Sequence, residues 1–160
     1  MLKVLFPGSF DPPTNGHFNL IERAASIFDQ LEIVIAVNIQ KSYLFSPEER
    51  FDLVSTNVGH LSNVKVHLWD RLIVEFARKE GIRVIIRGVR ALDDFSHEFE
   101  LSMINKGLDH NIETFFMPTD PQFFVLRSSS IKELVLLNGD ISSMVPPKVE
   151  SALKAKLLGA

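Results

Sequence analysis

Short apolar runs and amphipathic stretches alternate along this chain. The runs Leu2 to Phe6, Leu31 to Val37, Val64 to Trp69, Ile82 to Ile86 and Thr114 to Met117 are rich in β-branched or aromatic residues and bounded by breakers, which marks each as a strand. Most are continuous rather than alternating, the pattern of parallel strands buried on both faces. Between them the period changes. Leu20, Ile21, Ala24, Ala25 and Phe28 share one helical face, and Ser46-Pro47-Glu48-Glu49 is a capping box with Pro at the first helical position. Further helices are expected from about Leu72 to Glu80 with Gly81 as the stop, and from about Asp93 to Lys106 with Gly107 as the stop. Two more are expected from Ser129 to Asn138 before Gly139, and from Pro147 to Leu158. This alternation predicts a single α/β domain over residues 1–160: a doubly wound, five-stranded parallel sheet of Rossmann-like type with right-handed crossovers. No internal repeat, linker or low-complexity segment divides it.

Composition narrows the function classes. The chain has 160 residues, 46% of them hydrophobic, enough to bury a core without staples. It has no cysteine, which excludes disulfides, thiolate metal sites and a Cys nucleophile. A formal net charge of -3 argues against general nucleic-acid binding, while leaving room for a local basic cleft that takes a polyanionic small molecule. The first residues lack the basic and long apolar regions of a signal peptide, and no run approaches a membrane span. The expectation is a soluble, cytoplasmic protein without membrane partners.

In such sheets ligands bind beyond the carboxyl ends of the strands, where the strand order reverses, usually between the first and fourth strands. The segments that meet there are Pro7 to His17 and Arg87 to Asp94. The first puts Asn15, Gly16 and His17 at a helix N-terminus, where free N–H groups and the macrodipole favour an anion. The second places the guanidiniums of Arg87 and Arg90 around Gly88, a residue that lets the backbone approach closely. Taken singly, each has a plainer reading. His17 can be a solvated helix-start residue, Arg87 and Arg90 surface charges, Ser128-Ser129-Ser130 an N-cap with spare serines, and Lys41 an ordinary loop lysine. Together they put a phosphate-compatible group on four strand-end loops at one rim.

Thr14-Asn15-Gly16-His17 resembles the T/H-x-G-H signature of the nucleotidylyltransferase superfamily. The wider Pro7-Gly8-Ser9-Phe10-Asp11-Pro12-Pro13-Thr14-Asn15-Gly16-His17 resembles the phosphopantetheine adenylyltransferase family of bacterial coenzyme A biosynthesis. The similarity continues through Lys41, Phe45-Ser46-Pro47-Glu48-Glu49-Arg50, Ile86-Arg87-Gly88-Val89-Arg90, Asp94-Phe95, Met117-Pro118 and the serines, so it spans essentially the whole chain. That resemblance implies transfer of the adenylyl group of ATP to 4′-phosphopantetheine, giving dephospho-coenzyme A and pyrophosphate. It implies Mg2+, coenzyme A or dephospho-coenzyme A as product or inhibitor, and a homohexamer.

The same resemblance implies the site. His17, Lys41 and Arg90 would be catalytic, with His17 on the α-phosphate of ATP. Ser9, Phe10, Gly88, Val89, Arg90, Glu98 and the stretch Phe124-Val125-Leu126-Arg127-Ser128-Ser129-Ser130 would bind ATP. Ser9, Lys41, Leu72, Ile73 and Arg87 would bind phosphopantetheine. Ser9 stands where Thr is common, His97 where Tyr is, and Ile104 where Met is, and the segment after Met117-Pro118 is longer than the family pattern. The alternatives are another adenylyl- or cytidylyltransferase, such as one acting on nicotinamide mononucleotide, and a non-catalytic nucleotide-sensing module.

Overall fold

The computed structural model describes residues 1–159. Five strands form one sheet: β1 (Lys3–Gly8), β2 (Gln30–Ala36), β3 (Val64–Trp69), β4 (Val84–Val89) and β5 (Glu113–Pro118). All neighbours are parallel and the order is β3-β2-β1-β4-β5, so the order reverses between β1 and β4 as the alternation predicts. The helices are α1 (Asn15–Ile27), α2 (Pro47–Val58), α3 (Ile73–Lys79), α4 (Leu92–Leu108), α5 (Ser128–Leu136) and α6 (Pro147–Leu158), with a 3-10 turn at Pro121–Phe123.

The sheet is buried by packing on both faces. Val4, Phe6, Leu31, Ile33, Ile35, Val84 and Ile86 meet Phe18, Leu20, Ile21 and Ala24 of α1 and Val54 and Val58 of α2. On the other face Leu5, Val34 and Ile85 meet Val74, Phe76 and Ala77 of α3. A third apolar cluster joins Phe45 and Leu53 to Ile131 and Val135 of α5 and Val149 and Leu153 of α6. The edge strands β3 and β5 depart from the expectation of full burial, because each has a neighbour on one side only and keeps exposed positions such as Phe115. Helix α4 has no buried residue and runs through Gly107 to Leu108, rather than stopping before that glycine. Nothing lies within 4 Å of a Cβ built there, so no crowding forces an end, and the Asp109 N–H caps the helix on the Asn105 carbonyl.

One detail of register opens the crevice. β1 stays paired with β2 through Gly8↔Ile35, but its pairing with β4 ends at Leu5↔Ile85. Pro7 has no N–H to give to β4. Its carbonyl instead accepts from Arg87 Nη1 at 2.8 Å, so a side chain fills the place where the strands part.

Candidate active site

A cleft of about 620 Å³ lies at the carboxyl ends of β1 and β4. It is lined by Ser9, Thr14, Gly16, His17, Arg87, Gly88, Arg90, Asp93, Asp94, His97, Glu98, Thr119, Phe123, Leu126, Arg127, Ser128 and Ser129, among others.

The first wall is the turn from β1 into α1. Thr14 is the N-cap of α1, and its hydroxyl accepts from the His17 backbone N–H at 3.4 Å. In return the Thr14 backbone N–H donates to His17 Nδ1 at 3.0 Å, and the Thr14 hydroxyl lies 3.0 Å from the same nitrogen. This is a capping box in which histidine takes the place usually held by Glu or Gln. Because Nδ1 accepts, the proton of the neutral ring is on Nε2. Burial, then the charges of Arg90 and Arg87, push the His17 pKa down to about 4, so the ring is neutral at physiological pH. Beneath it lies Phe10, its ring centroid 5.1 Å from that of the imidazole. Phe10 is buried and holds a left-handed φ of 52°, a conformation maintained by packing against Phe6 and His17. Its side chain therefore belongs to the core, leaving only its backbone for a ligand.

The second wall comes from β4 and α4. Arg87 donates to both carboxylate oxygens of Glu98, the Nη2–Oε1 distance being 2.7 Å, in addition to its bond to Pro7. Arg90 donates to Asp94 through Nε at 2.8 Å and Nη2 at 3.2 Å, and through Nη1 to the Leu126 carbonyl. Each guanidinium is thus held in a fixed plane by a carboxylate one or two turns along α4, an arrangement that an entering phosphate can take over. Glu98 pairs with Arg87, the residue expected on the acceptor side, and so links the two expected subsites.

Gly88 also has a packing role. A Cβ there would lie 2.3 Å from Leu20 Cδ1, so the Leu20 side chain of α1 seats directly on the β4 backbone at this point. The close approach that the sequence suggested for a substrate is made first by the protein itself.

The third wall is the first turn of α5. Ser128 donates to the Pro12 carbonyl at 2.9 Å, tying the serines to the β1–α1 turn. Arg127, not Ser128, is the N-cap, so all three serines lie within the helix and their backbone N–H groups fall in its unsatisfied first turn.

Of the residues expected at the site, Ser9, His17, Arg87, Gly88, Arg90, Glu98, Leu126, Arg127, Ser128 and Ser129 line the cleft. Phe10, Val89, Phe124, Val125 and Ser130 do not, nor do Lys41, Leu72 and Ile73. Lys41 is exposed on the loop after β2, and Leu72, also exposed, is the N-cap of α3 after β3. These two stand on the same rim of the sheet, on the opposite side of β1 from β4. Asp93, Asp94 and His97 line the cleft without having been assigned a role. Their spacing with Glu98 is one helical face, so a polar stripe following the switch point was the available signal.

Residues 5–134 match the cytidylyltransferase-like family model. The chain is 46% identical over 154 residues to the phosphopantetheine adenylyltransferase of Staphylococcus haemolyticus, covering 96% of both chains. It is 47% identical over 153 residues to that of Desulfitobacterium hafniense, covering 96% of this chain and 94% of the relative. A crystal structure from Vibrio parahaemolyticus, provisionally described as a nicotinate-nucleotide adenylyltransferase, superposes with a TM-score of 0.67 at 21% identity over 96% of this chain and 92% of the other, a likeness of fold. With the signature turn, the switch-point cleft and near-complete coverage at this level of identity, the chain belongs to the phosphopantetheine adenylyltransferase family of cytidylyltransferase-like nucleotidyltransferases.

Proposed function

We propose that this enzyme transfers the adenylyl group of ATP to 4′-phosphopantetheine, releasing pyrophosphate and forming dephospho-coenzyme A. The observation that carries the reading is His17: a neutral imidazole with its proton on Nε2, fixed at a helix N-terminus and faced by two guanidiniums.

The chemistry asks little of the protein beyond alignment. A phosphate oxygen of the acceptor attacks the α-phosphorus of ATP in line, the new P–O bond forms, and the bond to the β-phosphate oxygen breaks. The nucleophile is already anionic, so no side chain has to remove a proton. His17 donates its Nε2–H to an α-phosphate oxygen, where negative charge grows in the transition state. A neutral donor suits this role because its hydrogen bond strengthens as that charge develops. Arg90 and the first turn of α5 take the β- and γ-phosphates, and Arg87 takes the acceptor's phosphate. The acceptor enters over the ends of β2 and β3, where Lys41, Leu72 and Ile73 stand, and meets the nucleotide above Ser9.

Mg2+ would arrive with the triphosphate and neutralise part of its charge. Among the described residues no group of three or more His, Asp or Glu could hold it, so phosphate oxygens and water would supply most of its ligands. Asp94 and Glu98 are engaged by arginines, which leaves Asp93 as the cleft carboxylate able to add a ligand. Apolar residues exposed on α4 and β5, including Phe99, Met103 and Phe115, support assembly of several copies, with a homohexamer as the expected form. Coenzyme A, which shares the acceptor arm and the adenylyl group, is expected to compete as an inhibitor.

The deciding assay is pyrophosphate release from ATP with 4′-phosphopantetheine, run against nicotinamide mononucleotide and pantothenate phosphate as rival acceptors. Turnover confined to phosphopantetheine supports the proposal, and preference for either rival refutes it.

A further inference from the structure

Arg50, in the first turn of α2, is a fully buried arginine outside the cleft. Its Nη1 donates to the Ser9 carbonyl at 2.7 Å and to the Ala36 carbonyl at 3.0 Å, and its guanidinium lies 4.0 Å from the ring centroid of Tyr43. Nε and Nη2 have no hydrogen-bond partner in the protein, and the guanidinium pairs with no carboxylate among the described residues. Arginine stays protonated in proteins. A full positive charge is therefore buried without a counter-charge, an expensive arrangement whenever nothing else answers it.

Its position says what answers it. Ser9 follows the last residue of β1 and Ala36 is the last residue of β2, so Nη1 bridges the carboxyl ends of two adjacent strands at the active rim. Tyr43 and Lys41 lie on one loop between β2 and α2, so the guanidinium also supports the segment that carries the acceptor-side lysine. The buried carboxylate in this region is Asp11, and it is already engaged. It accepts from the Leu44 and Phe45 backbone N–H groups, both at 2.9 Å, and pairs with Lys132 of α5 at 3.3 Å.

We propose that Arg50 is a positioning residue for the acceptor's phosphate. It acts through the Ser9 backbone and the Lys41 loop, and its unanswered charge supplies a field at the rim that an incoming phosphate balances. The charge lies under protein, away from salt, so its influence on an anion at the rim is screened less than that of an exposed lysine. This inference rests on the proposed function, because it assigns Arg50 to the acceptor half of that reaction.

The test compares Arg50→Met, Arg50→Lys and Tyr43→Ser with the parent in the pyrophosphate assay, with KM measured separately for ATP and phosphopantetheine and folding followed by thermal melting. Arg50→Met should raise the acceptor KM at least about tenfold with the ATP KM within about twofold, and Arg50→Lys should recover most of the loss because the charge returns. Tyr43→Ser leaves the core intact and lets water reach the guanidinium, so it should raise the acceptor KM severalfold in the same direction. If Arg50→Met does not fold, the Tyr43→Ser and Arg50→Lys arms decide. Equal changes in both KM values, or a lower melting temperature with neither KM changed, would reduce Arg50 to a structural role. A parent that does not turn over phosphopantetheine overturns the acceptor assignment and this inference with it; a parent that does, with unchanged variants, overturns this inference alone.

Discussion

His17 is expected to work as a neutral donor down to a pH at which an ordinary histidine is largely charged. Burial is the main reason its pKa falls from 6.5 to about 4, with Arg90 and then Arg87 adding to it. At pH 6 an unperturbed imidazole is about three-quarters protonated, whereas one with this pKa is about 1% protonated. The His17 contribution to kcat should therefore be flat from about pH 8 to about pH 5. A titration of the ring carbon protons by NMR should show no midpoint between 6 and 7, and 15N shifts should place the proton on Nε2. Arg90→Gln should raise the pKa only in part, since desolvation remains. The same shift links to stability: the unfolded chain binds the proton at about 6.5 and the folded one resists it until about 4. The stabilisation is full above about pH 6.5 and is lost as pH falls towards 4. The gap corresponds to about 3 kcal/mol, and it should be missing from the acid limb of a His17→Gln variant measured beside the parent. In activity, His17→Ala should lose about 10²-fold in kcat, again about 3 kcal/mol, with little change in ATP binding. A folded His17→Ala enzyme with near-normal kcat, or a ring that titrates near 6.5, would refute the reasoning.

Three further outcomes follow from the same geometry. Arg87→Ala should mainly weaken phosphopantetheine binding and Arg90→Ala mainly ATP binding, as read by titration calorimetry with each ligand; equal losses for both ligands would show that Gly88 does not separate two phosphate subsites. Lys41→Met should bind phosphopantetheine and pantetheine more nearly alike than the parent does and should turn over far more slowly, and an unchanged preference in competition binding would make Lys41 a plain loop residue. Thr14→Val removes the N-cap oxygen and one neighbour of His17 Nδ1, so melting should report about 1 kcal/mol of destabilisation and kcat should fall by more than that loss explains.

The layout of strands and helices was legible because Val4 to Phe6 of β1, Ile33 to Ala36 of β2 and Val84 to Ile86 of β4 are short apolar, β-branched-rich runs, the pattern of strands covered on both faces, and they alternate with helical periods. Local chemistry named the cap of α2 at Ser46. What escaped had causes beyond local pattern. The strand β1 runs on through Pro7 and Gly8, residues that read as breakers, because pairing with β2 alone sustains it. Helix α4 passes Gly107 because a glycine in a last exposed turn weakens a helix without ending it. At the site, the motif residues His17, Arg87 and Arg90 were legible from the turn and the switch point. The Arg87–Glu98 pair depends on how α4 packs beside β4, whereas the reciprocal bond between Thr14 and His17 is local and escaped because histidine stands where a capping box usually has Glu or Gln. Arg50 reads in sequence as one more charge in a capping segment, and only its burial beneath Ser9 and Tyr43 separates it from Glu48 and Glu49 beside it.

The contact of Leu20 with the bare backbone of Gly88 works as a gauge block. His17 sits on α1 one turn before Leu20, and Arg87 and Arg90 flank Gly88 on and just beyond β4, so this contact is one of those that hold donor and guanidiniums side by side. Ser9, His97 and Arg127 reach the cleft from other places, the end of β1, helix α4 and the cap of α5. At position 88 there is no shorter residue to choose, and any longer one must displace the Leu20 side chain from its seat between α1 and β4. The missing Cβ at position 88 thus lets Leu20 lock α1 against β4 beside the residues the reaction would use.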